Sequence, residues 1–179
     1  MPSNIEIKVS LKDVDRFRMA IERIVADQPR TIHQEDIFFN CESGRLKLRI
    51  FPDNTGELIW YRRPDGRGPK KSDYYIYPTT NPTLLRKTLS AALGETVTVR
   101  KTRHVYHIGQ TRIHLDEVEG LGTFMELEVV LHPHQSEEEG RQIADDLMRR
   151  LSVGRSDLVA CAYADLLLHA AEIHERPSR

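Results

Sequence analysis

Two glutamates in TFMELEVV, residues 123–130, stand at alternate positions, Glu126 and Glu128. Alternation is the period of a β-strand, so both carboxylates leave one face, roughly 7 Å apart along the strand. Met125, Leu127 and Val129 leave the other. Like charges that close repel unless a cation lies between them, and paired carboxylates suit a hard divalent ion. Positive charge is arranged in the same way elsewhere. Lys47 and Arg49 share a face of RLKLRI, and Lys101 and Arg103 share a face of VRKTRHVY. Glu6 and Lys8 oppose Ile5, Ile7 and Val9 in IEIKV, and Arg112, His114 and Asp116 oppose Ile113 and Leu115 in RIHLDEV. Grouped Lys and Arg suit a polyanion such as phosphate. In ELIWYRRPD, Arg62 and Arg63 fall on opposite faces, and the register stays open.

The elements that carry these residues follow from periodicity and turn signals. Strands are expected near 4–10, 34–40, 45–51, 57–63, 72–79, 97–106, 111–118 and 123–131. A helix over 13–28 takes Asp13 as its cap and stops before Pro29. The clearest helix is NPTLLRKTLSAALGE, with Asn81 as cap, Pro82 in the first turn and Gly94 at the end. Ser136 and Glu139 form a capping box for another. A last helix is expected over about 156–173, with Leu158, Cys161, Leu166 and Leu167 on its apolar stripe. The fold class is α+β and mainly antiparallel. An open sheet would turn its charged face to solvent and serve as a protein-interaction module. A closed sheet would line a barrel interior with charge, and mixed charge survives there only if paired, wet or bound to a charged ligand.

Length and composition narrow the setting. The 179 residues suffice for one domain with a substantial core. Lys and Arg number 26 against 27 Asp and Glu, so overall charge favours neither nucleic acid nor an anionic membrane. Cys41 and Cys161 show no metal-ligand spacing, and MPSNIEIKVS lacks the apolar core of a signal peptide. A cytoplasmic location is expected, and the oligomeric state, a homodimer included, is left open.

The blocks, in order, resemble the CYTH domain, also called the triphosphate tunnel metalloenzyme family, which includes class IV adenylyl cyclases, thiamine triphosphatases and tripolyphosphatases. The family's ExExK stands here as Asn4-Ile5-Glu6-Ile7-Lys8. EDIFF, LKLRI, the Lys101/Arg103 pair, LDEVEGLGTFMELEV and the closing AYADLL continue the match over roughly residues 4–170. The resemblance implies a single domain over 1–179, a closed eight-stranded antiparallel barrel with helices packed outside. It implies Mg²⁺ or Mn²⁺ as cofactor and a triphosphate-containing small molecule as partner, ATP, thiamine triphosphate or tripolyphosphate. Carried over, Glu6, Glu126 and Glu128 would hold metal, and Lys8, Lys47, Arg49, Arg63, Lys101 and Arg103 would contact phosphate. Asp116 would sit near the metal or orient a basic partner, and Glu6, Lys8, Asp116 and Glu126 would carry catalysis. Asn4 departs from the pattern, offering a neutral oxygen where the family has a carboxylate. Arg63 is preferred over Arg62 for the family's mid-chain tunnel lysine.

The remaining candidates have plainer readings. His104, His107 and His114 match no standard zinc spacing and read as surface or hydrogen-bonding residues. GRGPKKS lacks the following helix of a P-loop and reads as a rim loop, with Lys70 or Lys71 able to reach a tunnel mouth. Packing accounts for Tyr163 as well as a family role does, and Cys161 reads as core.

Overall fold

The structure is a computed structural model that describes residues 1–174. Eight strands run in chain order: β1 Ser3–Ser10, β2 Arg30–Phe39, β3 Arg45–Ile50, β4 Gly56–Arg62, β5 Lys70–Thr79, β6 Glu95–Ile108, β7 Thr111–Val118 and β8 Gly122–Val130. They close into a barrel in the order β1-β5-β4-β3-β2-β6-β7-β8, each pair antiparallel. Closure rules out the open sheet and, with it, the exposed charged face that the interaction-module reading needed.

Helices cover the apolar outer faces. α1, Val14–Glu22, is capped by Asp13 and packs Phe17 and Ile21 toward Tyr106, Ile113 and Leu115. It ends at Glu22 rather than reaching residue 28. α2, Pro82–Leu93, starts under the Asn81 cap and sets Leu85 and Leu89 against Ile37 and Leu48. α3, Glu137–Arg150, has the full capping box and lies on β1 and β8. Gly140 permits that approach, since a Cβ there would stand 2.7 Å from Ile5 Cγ1 and 2.5 Å from Leu131 Cδ2. No helix among the described residues is long and apolar enough to cross a membrane.

The last helix departs from expectation. α4 is Tyr163–His174, and a 3-10 turn at Arg155–Asp157 precedes it. Between them the chain is extended, because its backbone bonds elsewhere. Leu158 bridges Val9, Val159 N donates to Lys8 O at 2.9 Å, and Lys70 Nζ donates to Ala160 O at 2.8 Å. Leu158 and Cys161 therefore lie on this strap and not on a helical stripe, and Cys161 is only half-buried.

Strap and helix close one end of the barrel. Tyr163 and Ala164 pack with Phe38, Val99, Val118 and Phe124 into an apolar plug, with Tyr61 against it. Lys70 belongs to β5 and is buried, donating also to Gly66 O at 2.9 Å, so it ties the 64–69 loop to the strap. Its ammonium is pushed down to about 8 by burial and by the Arg63 charge.

Candidate active site

The alternating charges converge inside the barrel, in a cavity of about 780 Å³. Asn4, Glu6 and Lys8 line it from β1, Asp36 from β2, and Lys47 and Arg49 from β3. Lys101 and Arg103 enter from β6, His114 and Arg112 from β7, and Glu126 and Glu128 from β8. Arg63, just past the end of β4, faces the cavity and is buried, while Arg62 is exposed. Tyr61 at an inward position sets that parity, since Arg63 is two residues on.

Three networks join most of these side chains, and Arg112 pairs separately with Glu128 at 2.8 Å. In the first, Glu126 receives Lys8 Nζ on one oxygen and Arg103 Nη2 on the other. Arg103 Nε also donates to Asp116 Oδ1 at 2.6 Å, and Tyr163 Oη donates to Asp116 Oδ2 at 2.9 Å. Asp116 is fully buried and thus holds a basic partner in place. Lys8 Nζ further lies 3.1 Å from the centroid of the Tyr163 ring, a cation–π contact. In the second network, Asp36 accepts from Lys47 at 2.8 Å and from Arg49 at 2.8 and 2.9 Å. The third is the ion pair of Arg63 Nε with Glu6 Oε1, 2.9 Å apart.

Low dielectric and close charges shift several of these carboxyl, ammonium and imidazole equilibria from their values in water. Burial raises the Glu6 carboxyl above the usual range, and nearby Glu126 and Glu128 add to it despite Arg63. For Asp36, burial is outweighed by Arg49, Lys47 and Lys101, which hold it well below that range. Burial and the Arg103 charge push Lys101 down to about 7, although Asp116 and Asp36 pull the other way. The same two causes lower His114.

His114 is the residue that sequence reading misplaced. It is not a surface group: it is 3% exposed, and one ligand atom from each of His114, Glu126 and Glu128 lies within 4.8 Å of the others. The alternation Arg112–His114–Asp116 carried the signal, but zinc spacing was the wrong test for it. Asp36 was also missed, although the EDIFF block contains it. Glu6 stands outside the compact trio, although the register sets it opposite Glu128. The donor set fits a divalent cation. Two carboxylates and an imidazole nitrogen converge, and among the described residues neither His114 Nδ1 nor the inward Asn4 Oδ1, both buried, has a hydrogen-bond partner.

Known proteins share this architecture. A Pyrococcus horikoshii protein of known structure superposes with a TM-score of 0.82 at 22% identity, over 91% of this chain and 98% of its own. A Hippeastrum protein, provisionally an adenylyl cyclase and described as having a dominant triphosphatase activity, gives a TM-score of 0.65 at 14% identity, over 96% of each chain. The adenylate cyclase CyaB of Aeromonas hydrophila is 24% identical over 170 residues, covering 90% of this chain and 87% of the relative. The CYTH domain profile matches residues 3–163, nearly the whole sequence, and the chain therefore belongs to the CYTH domain family.

Proposed function

We propose that residues 1–179 form one CYTH-like domain acting as a divalent-metal-dependent enzyme on a nucleoside or other organic triphosphate, most like a class IV adenylyl cyclase. One observation carries this reading. A tunnel, plugged at one end, sets six cations (Lys8, Lys47, Arg49, Arg63, Lys101, Arg103), besides the Arg112 paired with Glu128, around the His114/Glu126/Glu128 donor group. A triphosphate would enter phosphate-first and leave its organic group at the open mouth, because the Tyr163 plug stops passage.

Each of those cations except Lys101 now has a carboxylate within 3 Å. Phosphate oxygens would share these partners, and the pre-placed cations would neutralise charge on the leaving group without reorganising. Asp116 keeps the Arg103 fork aimed while Tyr163 keeps Asp116 in place. Glu126 and Glu128, with Glu6 from the adjacent strand, would hold Mg²⁺ or Mn²⁺, which supplies Lewis-acid neutralisation of phosphoryl oxygens. In cyclisation the ribose 3′-oxygen bonds to the α-phosphorus, the bridging bond to the β-phosphate breaks, and pyrophosphate leaves. The hydroxyl proton would pass to a tunnel carboxylate that the metal does not engage, or to solvent.

Hydrolysis of thiamine triphosphate or inorganic tripolyphosphate is the second reading, supported by the triphosphatase description of the Hippeastrum neighbour. Non-catalytic polyphosphate or nucleotide sensing is a third, supported by Asn4. Both cysteines are free, which favours the cytoplasm. The deciding experiment incubates purified protein with ATP, thiamine triphosphate and tripolyphosphate, each with Mg²⁺ or Mn²⁺. Cyclic AMP with pyrophosphate identifies a cyclase, orthophosphate a triphosphatase, and no product from any substrate would overturn the enzyme reading.

A further inference from the structure

His114 is not explained by ordinary packing. A buried imidazole normally satisfies its ring nitrogens with hydrogen bonds, because an unmet polar atom in a dry interior costs free energy. Here Nδ1 is buried with no hydrogen-bond partner among the described residues. It stands 3.7 Å from Glu126 Oε2 and 3.7 Å from Glu128 Oε1, beyond hydrogen-bond range of both. Two neighbouring ligands of one cation, each roughly 2.0–2.2 Å from it, sit roughly 3–3.5 Å apart, so the two spans from the histidine nitrogen need only a small contraction.

Strand pairing imposes the arrangement. His114 on β7 is the direct antiparallel partner of Glu126 on β8, and Glu128 is the next residue on the same face. Glu126 is occupied on both oxygens by Lys8 and Arg103, and Glu128 receives Arg112 Nη2 at 2.8 Å. The histidine nitrogen alone in this trio has no such partner.

We infer that His114 is a nitrogen ligand of the divalent-cation site and biases that site toward Mn²⁺ and other transition ions over Mg²⁺. The inference rests on the metal-dependent reading above and goes beyond it. Mg²⁺ keeps oxygen ligands and several waters, so an imidazole gains it little. First-row transition ions accept imidazole readily, and their affinities rise along the series from Mn²⁺ to Cu²⁺. An all-carboxylate site would lack that preference.

The test uses the full chain with Mn²⁺ as the probe and no substrate. Pulsed electron paramagnetic resonance of bound Mn²⁺ should show modulation from a directly bonded ¹⁴N in the wild type. His114→Gln should lose it while still binding Mn²⁺ with a cooperative melt. The preference for Mn²⁺ over Mg²⁺, as a ratio of dissociation constants, should fall about tenfold in that variant. Glu128→Gln keeps the histidine and should weaken both metals together. If His114→Gln does not fold, His114→Asn takes its place, and a wild-type nitrogen signal that fades with Mn²⁺ binding in Glu128→Gln places the nitrogen beside Glu128. Mn²⁺ bound by the wild type without nitrogen modulation, or an unchanged metal ratio in the folded variant, would overturn the role of His114 alone. No Mn²⁺ bound at millimolar concentration would overturn the metal site itself.

Discussion

Asp36, which is buried, and Glu126, which is partly buried, are tunnel carboxylates that each receive two cations at close range, yet their surroundings differ. Asp36 takes Lys47 and both nitrogens of the Arg49 fork, with Lys101 4.0 Å away, and no second carboxylate crowds it. Among the described residues Lys47 has no other carboxylate within 4 Å, and the next acid to Arg49 is Glu57 at 3.9 Å. Glu126 shares its wall with Glu128 and an unpartnered histidine nitrogen. Its two cations also have other holds: Arg103 keeps Asp116, and Lys8 keeps the Tyr163 ring. One centre is complete without a ligand and clamps two phosphate-binding candidates in position. The other has donor capacity to spare, which is what a binding site needs.

The largest expected effect tests the clamp. Asp36→Ala strands Lys47 and Arg49, both largely shielded from solvent, without their carboxylate and should cost about 3 kcal/mol of stability in urea or thermal unfolding. Glu126→Gln should lose clearly less, because both its partners stay engaged. Equal losses would erase the distinction between the two centres.

Turnover should show the reverse order. Glu126→Gln should lower kcat/KM by at least about 100-fold, the scale for removing one pre-placed electrostatic group. Steady-state rates with and without EDTA check this, and a mutant as active as the wild type would remove Glu126 from the site.

Ligand should relieve the mutual repulsion of the basic wall. Tripolyphosphate at about 100 times its Kd should add about 2.7 kcal/mol, read as a rise in Tm with concentration. The rise should be smaller where Asp36→Ala has released the clamp. An unchanged Tm at millimolar tripolyphosphate would mean that the tunnel does not bind the anion.

Lys101 makes a smaller, pH-dependent contribution. Its folded pKa of about 7 lies below the roughly 10.4 of an unfolded lysine, so between those values the unfolded chain holds the extra proton. This group therefore makes the empty protein more stable as pH rises from about 7 toward about 10.4. A bound polyanion favours the charged ammonium, so binding takes up a proton and affinity falls with pH above about 7, by less than tenfold per unit. Calorimetry in buffers of different ionisation enthalpy measures the uptake. Lys101→Met should remove most of it.

The smallest effect concerns Asn4, whose side-chain oxygen is buried and unpartnered. Asn4→Glu adds a charged ligand near the donor group and should lower the metal concentration for half-maximal activity several-fold. Superimposable metal titrations of the two proteins would show that position 4 does not act on the metal.

Local chemistry determined much of this molecule. Alternation in IEIKV, RLKLRI and RIHLDEV assigns each side chain a face, and the Asn81 and Ser136 caps start their helices where the sequence places them. Those signals span only a few residues, so they carry the charged face and the order of elements. Only the tertiary structure decided what that face encloses. Barrel closure pairs β1 with β8, and so Lys8 with Glu126, 118 residues apart. The β4 parity was illegible because LIWY is apolar on both faces; packing turned Tyr61 and Arg63 inward. The start of α4 moved to Tyr163 because the strap spends its backbone bonds on Lys8 and Lys70, distant partners that no local period reveals. His114 became part of a donor group through its cross-strand neighbour, since a ligand set is a matter of distance in space and not of spacing in the chain.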